Sequence, residues 1–194
     1  MIRQTIKPLC QPHFGSFTLS KMGLTRIFVY GTLKRGQPNH GLLVLPNNEQ
    51  AGKAEFVGTA KTIDKYPLII ATKFNTPFLL DVVGSGQRVV GEIYQVDDVM
   101  LEECDQLEGH PERYVRTPIQ VERDDSSIEQ VFCYLLPRNR FPEHLLQFPT
   151  FESYDSFGDH GKAYVRCTNL EEKVSDPDLL IDSWKRIKTN QVPK

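Results

Sequence analysis

The chain has no C-x-x-C pair: its four cysteines, Cys10, Cys104, Cys133 and Cys167, stand far apart. A zinc knuckle or a thioredoxin-type redox site therefore has no framework, and a chain of 194 residues has little need of disulfide staples. No run of about 18 apolar residues occurs, which excludes a membrane-spanning helix, and the start shows no apolar secretory segment. A basic excess is missing too. Lys and Arg total 23 against 25 Asp and Glu, a net charge of −2, so there is no electrostatic footprint for a nucleic-acid backbone. Internal repeats and low-complexity tracts are also absent, which removes a solenoid. Acidic residues are lacking from Met1 to Asn48, where Arg3, Lys7, Ser16, Thr18, Ser20 and Lys21 occur. That is the composition of a weak mitochondrial transit peptide; the alternative is a flexible extension over residues 1–22, with Met22 as a second candidate start. Reduced thiols point to a cytoplasmic setting, with mitochondria as the alternative.

With 39% hydrophobic and 25% charged residues, the chain reads as an ordinary globular domain. Short apolar runs separated by turn residues predict strands over Arg26–Tyr30, Ala54–Ala60, Pro67–Ala71, Phe78–Val83, Arg88–Val96, Tyr114–Glu122 and Gln130–Leu136. Seven such runs with one helix among them predict an α+β fold, a small curled or barrel-like sheet with short helices at its rim. Gly84-Ser85-Gly86 and Asp124-Asp125-Ser126-Ser127 read as hairpin turns. One domain is expected over residues 23–170, followed by a C-terminal helix and tail over 171–194. In that tail Asp176-Pro177 caps a helical spacing of Leu179, Leu180, Trp184 and Ile187.

The helix between the fifth and sixth strands carries the most chemistry. Asp97 or Asp98 caps it, Met100, Leu101, Cys104 and Leu107 form its apolar stripe, and Gly109 stops it. At about 100° per residue Glu108 falls inside that stripe, while Glu102, Glu103 and Gln106 point away. An inward carboxylate at a helix C-terminus is expected to have a raised pKa, from desolvation and from the negative end of the macrodipole, as suits a general base. The alternative is that Glu108 turns to solvent or pairs with Arg113.

The turn after the first strand reads Tyr30-Gly31-Thr32-Leu33-Lys34-Arg35-Gly36-Gln37-Pro38-Asn39-His40. Its Gly spacing is that of a phosphate loop, but Gln37-Pro38 stands where Lys and Ser or Thr would reach phosphates and Mg²⁺, so nucleotide binding is rejected. A Gly-containing turn at a strand end remains, with main-chain N–H groups able to hold an anion.

This loop, together with Asp105-Gln106-Leu107-Glu108-Gly109-His110-Pro111 and Tyr114, resembles the gamma-glutamyl cyclotransferase-like superfamily in its AIG2-like, gamma-glutamylamine branch. The likeness runs from Ile27 to about Tyr164. It implies a small mixed β-barrel with a pocket closed by Tyr30, Gly31, Thr32 and Leu33, which bind substrate through the main chain, and with Glu108 as the catalytic residue. The implied activity is a cofactor-free and metal-free cleavage of gamma-glutamyl amides by intramolecular attack, releasing 5-oxoproline. For this branch the implied substrate is gamma-glutamyl-epsilon-lysine, left after breakdown of transglutaminase cross-links. The implied partner is that small molecule alone, with neither nucleic acid nor membrane; the oligomeric state is not legible. Whether the loop holds the substrate's alpha-carboxylate or the developing oxyanion stays open.

Tyr114 is a further pocket candidate, or a core tyrosine with a wet hydroxyl. His40, His110 and His160 have no readable role. Cys104 has no identified base and is a poor nucleophile candidate, and Asp105 is expected to satisfy backbone donors. Two rival readings remain: the same chemistry on another gamma-glutamyl compound, and a noncatalytic module binding a metabolite or a partner protein. Against the second, a buried carboxylate costs stability and suits poorly the anionic end of an amino acid.

Overall fold

A computed structural model of the protein describes residues 23–44, 51–158 and 160–166. The expected extension over 1–22 and the expected helix after Asp176 lie outside the described residues.

The first apolar run forms β1 (Thr25–Val29) and is followed by a single-turn helix α1 (Gly41–Val44) that the sequence did not announce. Next come β2 (Ala54–Thr62), β3 (Leu68–Ala71), β4 (Thr76–Leu79), β5 (Val90–Val96), α2 (Asp98–Glu108), β6 (Val115–Arg123) and β7 (Ile128–Leu135), with 3-10 turns at Arg138–Arg140 and Glu143–Gln147. Five strands close a barrel in the order β1-β5-β2-β6-β7. Its pairs are antiparallel except β1 with β7, which meet in parallel at Ile27 and Phe132. The fold is thus the expected α+β mixed barrel. A register shift in β2 between Phe56 and Gly58 supplies the bend that closure of so small a sheet demands.

Two expectations are corrected. The strand expected over Phe78–Val83 is β4, which starts earlier and ends at Leu79. Its Pro77 is accommodated because β4 pairs with β3 alone in a two-stranded sheet outside the barrel, and an edge strand can do without one N–H. Gly84 and Gly86 do take left-handed angles, φ 86° and 76°, but the turn joins β4 to β5, which lie in different sheets. It is a crossing between sheets and not a hairpin. The turn at residues 124–127 is one: β6 and β7 pair down to Glu122 and Ile128.

Alternation along each strand sorts the core into two layers. Phe28, Ala60, Ile93, Val121 and Val131 form one cluster, with a member from each barrel strand, and fill the barrel. Ile27, Val29, Tyr94 and Val96 point the other way and pack with Ile69 and Phe78 of the small sheet and with Met100 and Cys104 of α2. β1 is therefore covered on both faces, and its C-terminal end emerges at the seam between the layers.

Helix α2 has the expected ends. The side chain of Asp97 accepts from the Met100 N–H at 2.9 Å, a cap that contributes about 1 kcal/mol. Gly109 follows at φ 66°, and its N–H bonds back to the carbonyls of the last turn. Met100 and Cys104 are buried, whereas Leu107 is 37% exposed; the stripe stops one turn short and Leu107 stands at the rim of a cavity. A Cβ at Gly109 would lie 3.2 Å from Arg113 Cβ in a left-handed backbone. Gly109→Ala should therefore cost about 1–2 kcal/mol, read as a lowered urea midpoint; an unchanged midpoint would contradict this account of the helix end.

Candidate active site

The seam where β1 ends is open, and a cavity of about 90 Å³ lies there. One wall is the loop that leaves β1, with Tyr30, Gly31, Thr32, Leu33 and Asn39; the facing wall is Thr76, Pro77 and Phe78 of β4. The end of α2 contributes Leu107 and Glu108, and Phe28 and Val29 of β1 with Arg113, Tyr114, Tyr134 and Tyr164 complete the lining. All six residues expected to form the site, Tyr30, Gly31, Thr32, Leu33, Glu108 and Tyr114, thus line one cavity. The volume exceeds several-fold the roughly 10–15 Å³ that admits a single water.

The loop is held by its own polar groups. Asn39 donates its N–H to the Thr32 carbonyl and its side-chain amide to Thr32 Oγ1, both at 2.9 Å. The Leu33 carbonyl meets His40 Nδ1 at 3.1 Å. Among the described residues, the N–H groups of Thr32 and Leu33 donate to no protein acceptor. N–H groups of this kind at a strand end can hold an anion. Gly31 is fixed by space: a Cβ there would come within 2.9 Å of Pro77 Cγ on the facing wall.

The loop's far side rests on a residue the sequence reading missed. Glu92 of β5, only 8% exposed, accepts from the Arg35 N–H at 2.9 Å, from Arg35 Nε at 3.2 Å and from the Tyr94 hydroxyl at 3.0 Å. Its carboxylate is satisfied by the loop it anchors, which is what lets a charge sit there. The signal was present as a lone acid in the apolar run Val90–Val96. Asn39 belongs to the loop motif but was not assigned to the lining, and Pro77, Tyr134 and Tyr164 were missed because no local pattern marks them; only the fold brings those three to the seam.

Glu108 points inward, its side chain 20% exposed, and the expected alternative partner is there as well: Arg113 Nη2 lies 3.8 Å from Glu108 Oε2. Burial pushes the hydroxyls of Tyr30 and Tyr114 above the ordinary phenol range, and the Glu108 charge adds to both. Both hydroxyls stay protonated at neutral pH, and that of Tyr30 donates to the Tyr134 carbonyl at 3.2 Å. Tyr114 is buried against Phe78, with ring centroids 6.3 Å apart.

The other candidates have structural partners. Asp105 binds Arg116 at 2.8 Å and accepts from the Tyr134 hydroxyl at 2.6 Å, side chains in place of the backbone donors expected of it. His110 Nδ1 accepts from the Arg116 N–H. His160 bridges the Asp155 carbonyl and the Lys162 N–H and stacks on Tyr154. None of the three histidines lines the cavity. Burial pushes the Cys104 thiol up to about 12, which removes it as a nucleophile. Among the described residues no group of three or more His, Cys, Asp or Glu could hold a metal ion, and no helix is long and apolar enough to cross a membrane.

The family model for gamma-glutamyl cyclotransferase, AIG2-like, matches residues 27–166. The chain belongs to that family. The match spans the barrel, the small sheet, α2 and every residue lining the cavity. Among individual AIG2-like relatives, the gamma-glutamylaminecyclotransferase B of Danio rerio is 43% identical over 171 residues, covering 84% of this chain and 87% of that protein. The gamma-glutamylaminecyclotransferase of Homo sapiens is 41% identical over 147 residues, covering 71% and 94%. A crystal structure of an AIG2-like protein from Mus musculus superposes with a TM-score of 0.68 at 41% identity, covering 75% of this chain and 98% of that one.

Proposed function

We propose that this chain is a gamma-glutamylamine cyclotransferase that converts gamma-glutamyl-epsilon-lysine to 5-oxoproline and lysine, with Glu108 as acid and base. The observation that carries the reading is that the Glu108 carboxylate and the uncommitted N–H groups of Thr32 and Leu33 share one cavity. Membership of the family supports the reaction class, and the names of the relatives support the amine branch.

The chemistry asks little more. The substrate's alpha-amine is tethered to its gamma-carbonyl, so the pocket has chiefly to fold it toward a five-membered ring. Glu108 takes a proton from the alpha-ammonium, the freed lone pair attacks the gamma-carbonyl carbon, and a C–N bond forms. The loop N–H groups face either the oxyanion of that step or the alpha-carboxylate, at about 3–4 kcal/mol per oxyanion donor. Collapse breaks the bond to the lysine nitrogen. The two protons that leave the alpha-ammonium pass in turn through Glu108 to that nitrogen, and lysine departs as its ammonium. No water is consumed and no electron changes hands, so the reaction calls for no cofactor.

The functional unit is taken as residues 23–170 and its partner as the small molecule alone. The buried Cys104 and Cys133 are free thiols, which supports a reducing compartment such as the cytoplasm. The test is 5-oxoproline release from gamma-glutamyl-epsilon-lysine, gamma-glutamyl-alanine and glutathione side by side. The expected result is release from the lysine compound, with the others at least tenfold slower. Preference for the dipeptide or for glutathione keeps the chemistry and overturns the substrate; silence on all three favours a noncatalytic binding module.

A further inference from the structure

We propose that Arg113 is a positioning residue, which holds the Glu108 carboxylate ionised and turned into the cavity before substrate arrives. The inference rests on Glu108 being the base. Its geometry is independent of that reading. Arg113 Nε donates to the Glu108 carbonyl at 2.9 Å and Nη2 to the Leu107 carbonyl at 2.8 Å. The same Nη2 lies 3.8 Å from Glu108 Oε2, and the guanidinium carbon stands 5.2 Å from the centre of the Tyr114 ring. One planar cation thus closes the last turn of α2, approaches the carboxylate at its end and packs on a cavity wall.

The local sequence makes this arrangement. Gly109 reverses the chain with its left-handed φ, the Arg113 N–H returns to the Gly109 carbonyl at 2.7 Å, and the missing Cβ at Gly109 leaves the space beside Arg113 Cβ and Nε. The macrodipole and partial burial press Glu108 toward its neutral form; a guanidinium at this distance presses it back.

Among the described residues, the groups the Glu108 carboxylate acts on include the Tyr30 hydroxyl at the end of β1, the Tyr114 hydroxyl before β6, the Cys133 thiol of β7 and the Cys104 thiol of its own helix. All four are buried and neutral at physiological pH. Asp105, one turn earlier, is paired with Arg116, and His110 is taken up by the Arg116 N–H. A base kept ionised in this way is ready for the substrate's ammonium. Once that proton is on Glu108, the adjacent cation favours its release, which is what the departing nitrogen requires.

The test follows the Glu108 side-chain carboxyl carbon by NMR in the full-length protein labelled with ¹³C-glutamate, its signal identified by loss in Glu108→Gln. Arg113→Gln keeps a donor for the Leu107 carbonyl and removes the charge. The Glu108 midpoint should rise by about one pH unit, and the acid limb of 5-oxoproline release should move up with it, with kcat lowered and KM little changed. Arg113→Lys restores the charge without the planar fork and should return the midpoint most of the way. An unmoved midpoint in Arg113→Gln overturns the proposal, as does an equal rise in both variants, which would mark a structural role at the helix end. A midpoint that moves in a protein releasing no 5-oxoproline from any gamma-glutamyl compound sinks the functional reading and leaves Arg113 in place.

Discussion

Glu108→Gln is expected to fold as the wild type does and to release 5-oxoproline about 10³-fold more slowly. The amide has nearly the shape of the carboxylate, and Arg113 keeps its bonds to the Glu108 and Leu107 carbonyls, so the fold should be retained. Turnover is another matter. General acid and base steps contribute about 10²- to 10⁴-fold each, and here one group performs both. Gln can neither accept the ammonium proton nor deliver one, while the substrate binding proposed for the loop N–H groups would be kept. The loss should therefore fall on kcat, with KM within a few-fold of wild type. Retention of more than about a tenth of the wild-type rate would remove Glu108 from the role.

Gly31→Ala should lower kcat/KM at least tenfold with a smaller effect on stability. Its Cβ would stand 2.9 Å from Pro77 Cγ, so either the loop or β4 must move by several tenths of an ångström. The N–H groups of Thr32 and Leu33 follow directly in the chain, and donors aimed at developing charge lose value steeply with misplacement. Pro77→Ala would relieve the contact. In the double variant Gly31→Ala/Pro77→Ala part of the lost activity should return, a coupling that two independent lesions would not show. Full additivity of the two losses would contradict a steric cause.

How far the sequence carried this reading depended on how local each signal was. Helix α2 was legible at both ends because Asp97 and Gly109 each act within a few residues, and Glu108 was aimed correctly by helical period alone. The Asp124–Ser127 hairpin was legible for the same reason. β4 starts two residues before the expected Phe78, and only its pairing in a separate two-stranded sheet shows why Pro77 is tolerated within it. The same long-range pairing turned the Gly84–Gly86 turn from a hairpin into a crossing. At the site, the loop and the glutamate were visible as motifs, whereas Glu92 and Tyr164 are brought to the loop and the cavity by barrel closure and by the returning chain. Leu107 fits the helical stripe yet faces the cavity rim, since the period tells which residues share a face and not where the neighbouring layer ends. Desolvation and the macrodipole at Glu108 follow from the helix alone, whereas the 3.8 Å approach of Arg113 to its carboxylate depends on the chain reversal at Gly109.

In the proposed reaction the substrate's own amine, and not water, breaks the gamma-glutamyl bond. This is tested most directly by turning over gamma-glutamyl-epsilon-lysine in H₂¹⁸O and identifying the products by mass spectrometry. Intramolecular attack predicts 5-oxoproline and lysine in equal amounts, with no ¹⁸O in the 5-oxoproline. Free glutamate carrying ¹⁸O would mean that Glu108 activates water in a hydrolase, and would contradict the account.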